Sequence, residues 1–191
     1  AEFGWRTGNG KWSPAYPDNL PPVLNIGQGS PTGVLHGHTA AFPDKYRDAV
    51  FAFDWSFGII YAIHLQPDGA SYAGEKEEFV SGMPLPLTDG VVGPDGALYF
   101  MTGGRRLDSD LYRVYYDGEE ENVSLAAYEK SNAPESNLLR KELETYHQTG
   151  KEGGLEIAWK HLNHEDRFVR FAARVALEHQ PVSSWQNQVL Q

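Results

Sequence analysis

Cysteine is absent from this chain of 191 residues, which excludes disulfides, zinc–thiolate sites, iron–sulfur clusters and covalent haem held through a C-x-x-C-H motif. That absence does not choose a compartment. No apolar run approaches about eighteen residues, so no segment reads as a membrane span. Positive charge is also scarce: 16 Lys and Arg face 26 Asp and Glu, a net charge of −10. A nucleic-acid binder must displace counterions with cationic side chains, so that class of partner is excluded from the reading. The opening Ala1-Glu-Phe-Gly-Trp has neither an initiator Met nor a basic and apolar signal region, and reads as a cut or processed end.

What the chain does have is a repeat. Ala49-Val-Phe-Ala-Phe-Asp, Ile60-Tyr-Ala-Ile and Asp68-Gly return as Ala97-Leu-Tyr-Phe-Met-Thr, Leu111-Tyr-Arg-Val and Asp117-Gly. The copies lie about fifty residues apart, the period of a propeller blade, and each reads as a β-hairpin closed by a turn. Further strands are expected at Thr32–Gly37, at Glu77–Val80 as a short polar outermost strand, at Thr88–Val92, and near Pro22–Ile26 within a Gly- and Pro-rich start. In Leu111–Tyr116, alternation puts Leu111, Arg113 and Tyr115 on one face and Tyr112, Val114 and Tyr116 on the other, neither plainly solvent-facing.

Composition changes between about residues 120 and 135, where glycine thins out and the apolar period lengthens from two to 3.6. Leu138, Leu139, Leu143 and Tyr146 mark one helix, and Leu155–Leu162 a second. A third opens at Asn163 or His164 with Asp166 suited to capping, and stops before Pro181. A fourth begins near Ser183 and runs out at Gln191, so the carboxyl end also looks truncated. The expected fold class is therefore a mainly β N-terminal part, the last blades of a β-propeller, plus an α-helical HEAT-like C-terminal part. Residues 1–125 would supply two blades and the outer strand or loop of a third, and residues 126–191 the helical repeats.

Particular motifs carry a family resemblance. Glu2-Phe-Gly-Trp, Ser30-Pro-Thr-Gly-Val, Phe42-Pro-Asp-Lys-Tyr-Arg, Asp54-Trp-Ser-Phe-Gly, Gly93-Pro-Asp-Gly-Ala-Leu-Tyr-Phe and Gly103-Gly-Arg resemble the last blades of glucose/sorbosone dehydrogenase-like propellers, relatives of the pyrroloquinoline-quinone (PQQ) sugar dehydrogenases. Asn163-His-Glu-Asp-Arg-Phe-Val-Arg-Phe-Ala-Ala-Arg-Val-Ala-Leu resembles a HEAT helix of the large secreted bacterial proteins that join such a propeller to helical repeats. The resemblance implies a periplasmic or secreted parent, calcium-bound PQQ at the propeller mouth, a His base, and Arg or Lys against the quinone carboxylates.

On that implication His36 and His38 are candidates for a base, Asp89 for a channel carboxylate, Trp55 for stacking on a planar ring, and Arg105 and Arg106 for carboxylate contacts. Each has a plainer alternative. The histidines read as loop imidazoles bonded to backbone, Asp54-Trp55-Ser56 as a structural turn, Asp89 as a tie between strands, and the two arginines as partners of Asp108 and Asp110. Asp117-Gly-Glu-Glu-Glu-Asn lacks the alternating oxygen ligands of an EF-hand, and His161 and His164 straddle a helix break, so no metal site is assigned.

Two functions of different class follow. One is the C-terminal part of a quinoprotein-like sugar or alcohol dehydrogenase, inactive alone, whose remaining propeller or a second chain completes it. The other is a non-catalytic propeller and HEAT scaffold that binds a glycan or a protein partner.

Overall fold

The computed structural model describes residues 19–118 and 134–189. The chain divides into two compact units, one of Leu24–Gln66 with Ala73–Lys130, the other of Ala1–Val23, Pro67–Tyr72 and Ser131–Gln191.

The sheet unit begins with β1 (Pro31–His36), β2 (Ala49–Asp54), β3 (Ile59–Asp68) and β4 (Ser71–Ser81), an antiparallel sheet in that order. A single 3-10 turn (Gly37–Thr39) and the four-residue α1 (Asp44–Arg47) lead from β1 to β2. Then β5 (Leu87–Val92), β6 (Leu98–Thr102) and β7 (Leu111–Val114) form a second antiparallel sheet. In β2 the period of two sends Ala49, Phe51 and Phe53 to one face and Val50, Ala52 and Asp54 to the other. The first set joins Ile60, Ala62, Leu87, Leu98 and Phe100 in the main core, while Val50 and Ala52 join a smaller cluster with Tyr61 and Ile63. Full burial of Phe51 and Phe53 contributes about 1.5–3 kcal/mol each.

The sequence repeat has a structural counterpart. The β1–β2 and β5–β6 registers each shift by one residue, at Thr32 and Thr88, and both hydroxyls donate to a carbonyl of the neighbouring strand. The Thr32 hydroxyl also lies 2.8 Å from the Leu87 carbonyl oxygen, so the two sheets meet along β1 and β5.

Beside the Pro67–Tyr72 segment, the helical unit contains α2 (Glu135–Glu144), α3 (Gly154–His161), α4 (Arg167–Glu178) and α5 (Val182–Val189). Helix α4 is the organising element. Val169, Ala172, Ala173, Ala176 and Leu177, at i, i+3, i+4, i+7 and i+8, are all buried, and α4 packs against both α2 and α3. Asp166 caps it, accepting from the Phe168 and Val169 amides through Oδ1, while its Oδ2 accepts from the Ala70 amide at 2.8 Å. The Ala70 carbonyl oxygen accepts in turn from Asn137 Nδ2 and Arg140 Nη1.

These elements overturn the propeller and HEAT expectation. Among the described residues, seven strands make one sheet of four and one of three, and nothing closes into a ring or barrel. The helices are not stacked repeat pairs: α4 serves as common partner to α2 and α3, which are shorter than it is. A hairpin motif fixes pairing within a hairpin, and an amphipathic stripe fixes a buried helix face; neither fixes how many such units assemble. Smaller corrections follow the same line. The segment near Pro22 forms no strand, and the outermost strand runs eleven residues rather than four. Its Glu75, Lys76, Glu77 and Glu78 are the charges with which exposed edge strands are protected from mispairing. Residues 1–18, and residues 119–122 of the acidic turn, lie outside the described residues.

Candidate functional site: the Trp55 turn

At the end of β2 the chain turns through Trp55, Ser56, Phe57 and Gly58, the last at φ +63°. Asp54, 1% exposed, sets that turn: its Oδ1 accepts from the amides of Ser56 (2.9 Å), Ser30 (3.0 Å) and Phe57 (3.4 Å). Its Oδ2 is buried without a hydrogen-bond partner, close against Gly29, where a Cβ would overlap it. The carboxylate therefore organises backbone.

Trp55 is held from both ends. Its amide donates to the Ser30 carbonyl oxygen (3.0 Å) and its indole Nε1 to the Gly103 carbonyl oxygen (2.8 Å), while the Gly103 amide donates to the Pro86 carbonyl oxygen. Despite these anchors the residue stays 39% exposed. Gly104 lies against both the indole and Leu107, and Phe57 and Leu107 are themselves exposed, so aromatic and apolar surface gathers at these loops. The adjoining turn Gly104-Arg105-Arg106-Leu107 closes through the Leu107 amide and Gly104 carbonyl oxygen. Arg106 adopts φ +64°, the left-handed region, at a backbone cost on the order of 1 kcal/mol.

Of the six residues singled out from the sequence, three gather here. Trp55, Arg105 and Arg106 share this end of the sheet unit, and the two arginines form no ion pair among the described residues, with Asp108 and Asp110 or otherwise. His36 and His38 do not join them. Register pairs His36 with Val50 and Pro31 with Asp54, which puts the histidines at the other end of β1, some five residues or about 17 Å away. Their rings neighbour each other at 5.3 Å, and His36 Nδ1 accepts from the His38 amide (3.2 Å). Asp89 stands on β5 against Gly33 of β1, with Oδ1 accepting from the amide of Gly90.

The sequence reading missed a polar cluster where α1 meets β3 and β4. Glu77 of β4 accepts from the Tyr46 hydroxyl (2.9 Å), bonds His64 Nε2 (2.8 Å) and pairs with Lys45 (3.3 Å). The His64 contact first, then Tyr46, hold its carboxyl below the usual range. The four residues come from α1, β3 and β4, and no local spacing announces them. A second such knot joins Arg113 to Asp95 (2.8 Å) and the Tyr99 hydroxyl, lowering the Asp95 carboxyl chiefly through Arg113.

The calcium-bound quinone implied by the resemblance does not fit these residues. Calcium takes about six to eight oxygen ligands. Among the described residues no three His, Asp or Glu side chains converge as metal ligands, and the Trp55 turn offers one indole and two cations without a carboxylate cage. No step of chemistry is derived through that group.

No protein-family model, no curated protein and no solved structure matches the chain. None of the described helices is long and apolar enough to cross a membrane.

Proposed function

We propose that the sheet unit is a non-catalytic binding module that takes a saccharide on the Trp55 surface. The observation that carries this is an exposed indole held in one orientation by the Nε1 bond to Gly103. An apolar ring in water is normally turned inward; one fixed outward is preorganised for a ligand with an apolar face and polar edges, and loses little entropy on binding. A pyranose has that form: its C–H face stacks on the indole and its hydroxyls find donors at the rim. Arg105 and Arg106, in no ion pair among the described residues, favour sugars that bear an acid group. Binding without turnover is the better reading because His36 and His38 are at the far end of β1, and Asp54 is buried with its Oδ1 accepting from three backbone amides.

Calorimetry of the 191-residue chain against neutral and uronate-bearing oligosaccharides tests the reading. Binding by at least one class, abolished in Trp55→Ala and weakened for the acidic class in Arg105→Ala/Arg106→Ala, is expected. Equal binding by wild type and Trp55→Ala, or none over the whole panel, refutes it.

A further inference from the structure

We propose that the cleft between α2 and α3 of the helical unit is a docking groove for a basic amphipathic helix of a partner protein. The inference does not depend on the saccharide reading. The groove has a volume of about 900 Å³. One wall comes from α2 and the turn after it, with Leu138, Leu139, Glu142 and Tyr146 at helical spacing; the other comes from α3, through Glu156, Ile157 and Lys160. Beneath both lies α4, so the cleft is the furrow left where two helices rest on a third. Helices of ten and eight residues run for about 15 and 12 Å, enough for two to three turns of a partner helix with anchors at i, i+3 or i+4, and i+7.

Charge selects the occupant. Leu138, Leu139 and Ile157 line the furrow, while the carboxylates of Glu135, Glu142, Glu156 and Glu165 border it. Among the described residues none of the four carboxylates is in an ion pair, and Lys160 is the only lysine or arginine that lines the groove. Burial, then Lys160 and His164, keep His161 below the usual imidazole range, so it adds no charge at neutral pH. The groove thus carries an apolar strip of three aliphatic side chains within an anionic border. A second copy of this chain brings the same acidic border and a net charge of −10, so self-docking is disfavoured. A helix with leucines on one face and lysines flanking them matches both features.

The test uses amide chemical shifts of the 191-residue chain titrated with three synthetic helical peptides. The first carries Leu at i, i+3, i+4 and i+7 with flanking Lys, the second has Glu in place of Lys, and the third scrambles the first. Saturable shifts at Leu138, Leu139 and Ile157 are expected with the first peptide only. Glu142→Lys/Glu156→Lys, at exposed positions that leave the fold intact, should weaken that binding at least tenfold. Leu138→Asp separates recognition from bulk attraction, because it adds an anion yet removes an anchor: weaker binding supports the groove, and tighter binding overturns it. Equal binding of the scrambled or Glu peptide, shifts confined to other surfaces, or self-association that occupies this face would also overturn it.

Discussion

Replacing Asp54 tests whether one buried carboxylate builds the Trp55 turn. In Asp54→Ala the amides of Ser30 and Ser56 lose an acceptor at 3.0 and 2.9 Å, and the Phe57 amide loses a weaker one at 3.4 Å. Hydrogen bonds to a charged group contribute about 1.5–3 kcal/mol each, and the two short ones dominate, so a loss of about 3–6 kcal/mol is expected. Asp54→Asn keeps an acceptor oxygen at neutral strength, roughly half as much per bond, and should cost about half as much. Urea unfolding followed by Trp fluorescence, with amide exchange at Ser30 and Ser56 to localise the effect, measures both variants. If Asp54→Ala loses less than about 1 kcal/mol, the carboxylate is not what holds the turn. Equal losses in the two variants would instead assign the effect to charge rather than to the bonds accepted.

Asp166→Ala should destabilise the helical unit by about 2–4 kcal/mol, since it removes a helix cap and the acceptor of the Ala70 amide together; retained exchange protection at Ala70 would contradict the assignment. Glu77 has its folded carboxyl pKa lowered, so its contribution is present above the unfolded value of about 4.3 and is lost as pH falls through the folded value. Glu77→Gln should therefore flatten the acid side of the stability profile, and an unchanged profile would remove the cluster from the account. Gly90→Ala places a Cβ 2.6 Å from the Phe53 ring and should cost about 1–3 kcal/mol in thermal unfolding, whereas a neutral result would mean the ring has room to move.

Strands and helices were legible because their information is local. The alternation in Ala49–Asp54, the Pro-Asp-Gly turn after Gly93 and the apolar stripe of Phe168–Leu177 each specify an element without help from distant residues. Assembly was not legible. Two similar hairpins suggested a ring, but sheet number depends on which faces meet, and the face of Leu111, Arg113 and Tyr115, expected to be covered, leaves Leu111 68% exposed. Site residues divide the same way. The place of Trp55 in a hairpin turn was legible, yet its anchor on Gly103 lies 48 residues away and left no signal. Nearness in sequence suggested that Arg105 and Arg106 pair with Asp108 and Asp110; the left-handed step at Arg106 redirects the loop, and the pairs do not form. Strand direction places His36 and His38 at the opposite end of β1 from Trp55.

The most direct measurement follows the indole N–H resonance of Trp55, assigned with Trp55→Phe, while saccharides are titrated to on the order of 50 mM, enough to register millimolar affinity. A saturable shift of that resonance, with those of Trp159 and Trp185 unmoved, is the predicted result. An unmoved Trp55 resonance, or the same drift at the Trp159 and Trp185 indoles among the five of the chain, would contradict a binding surface at this turn.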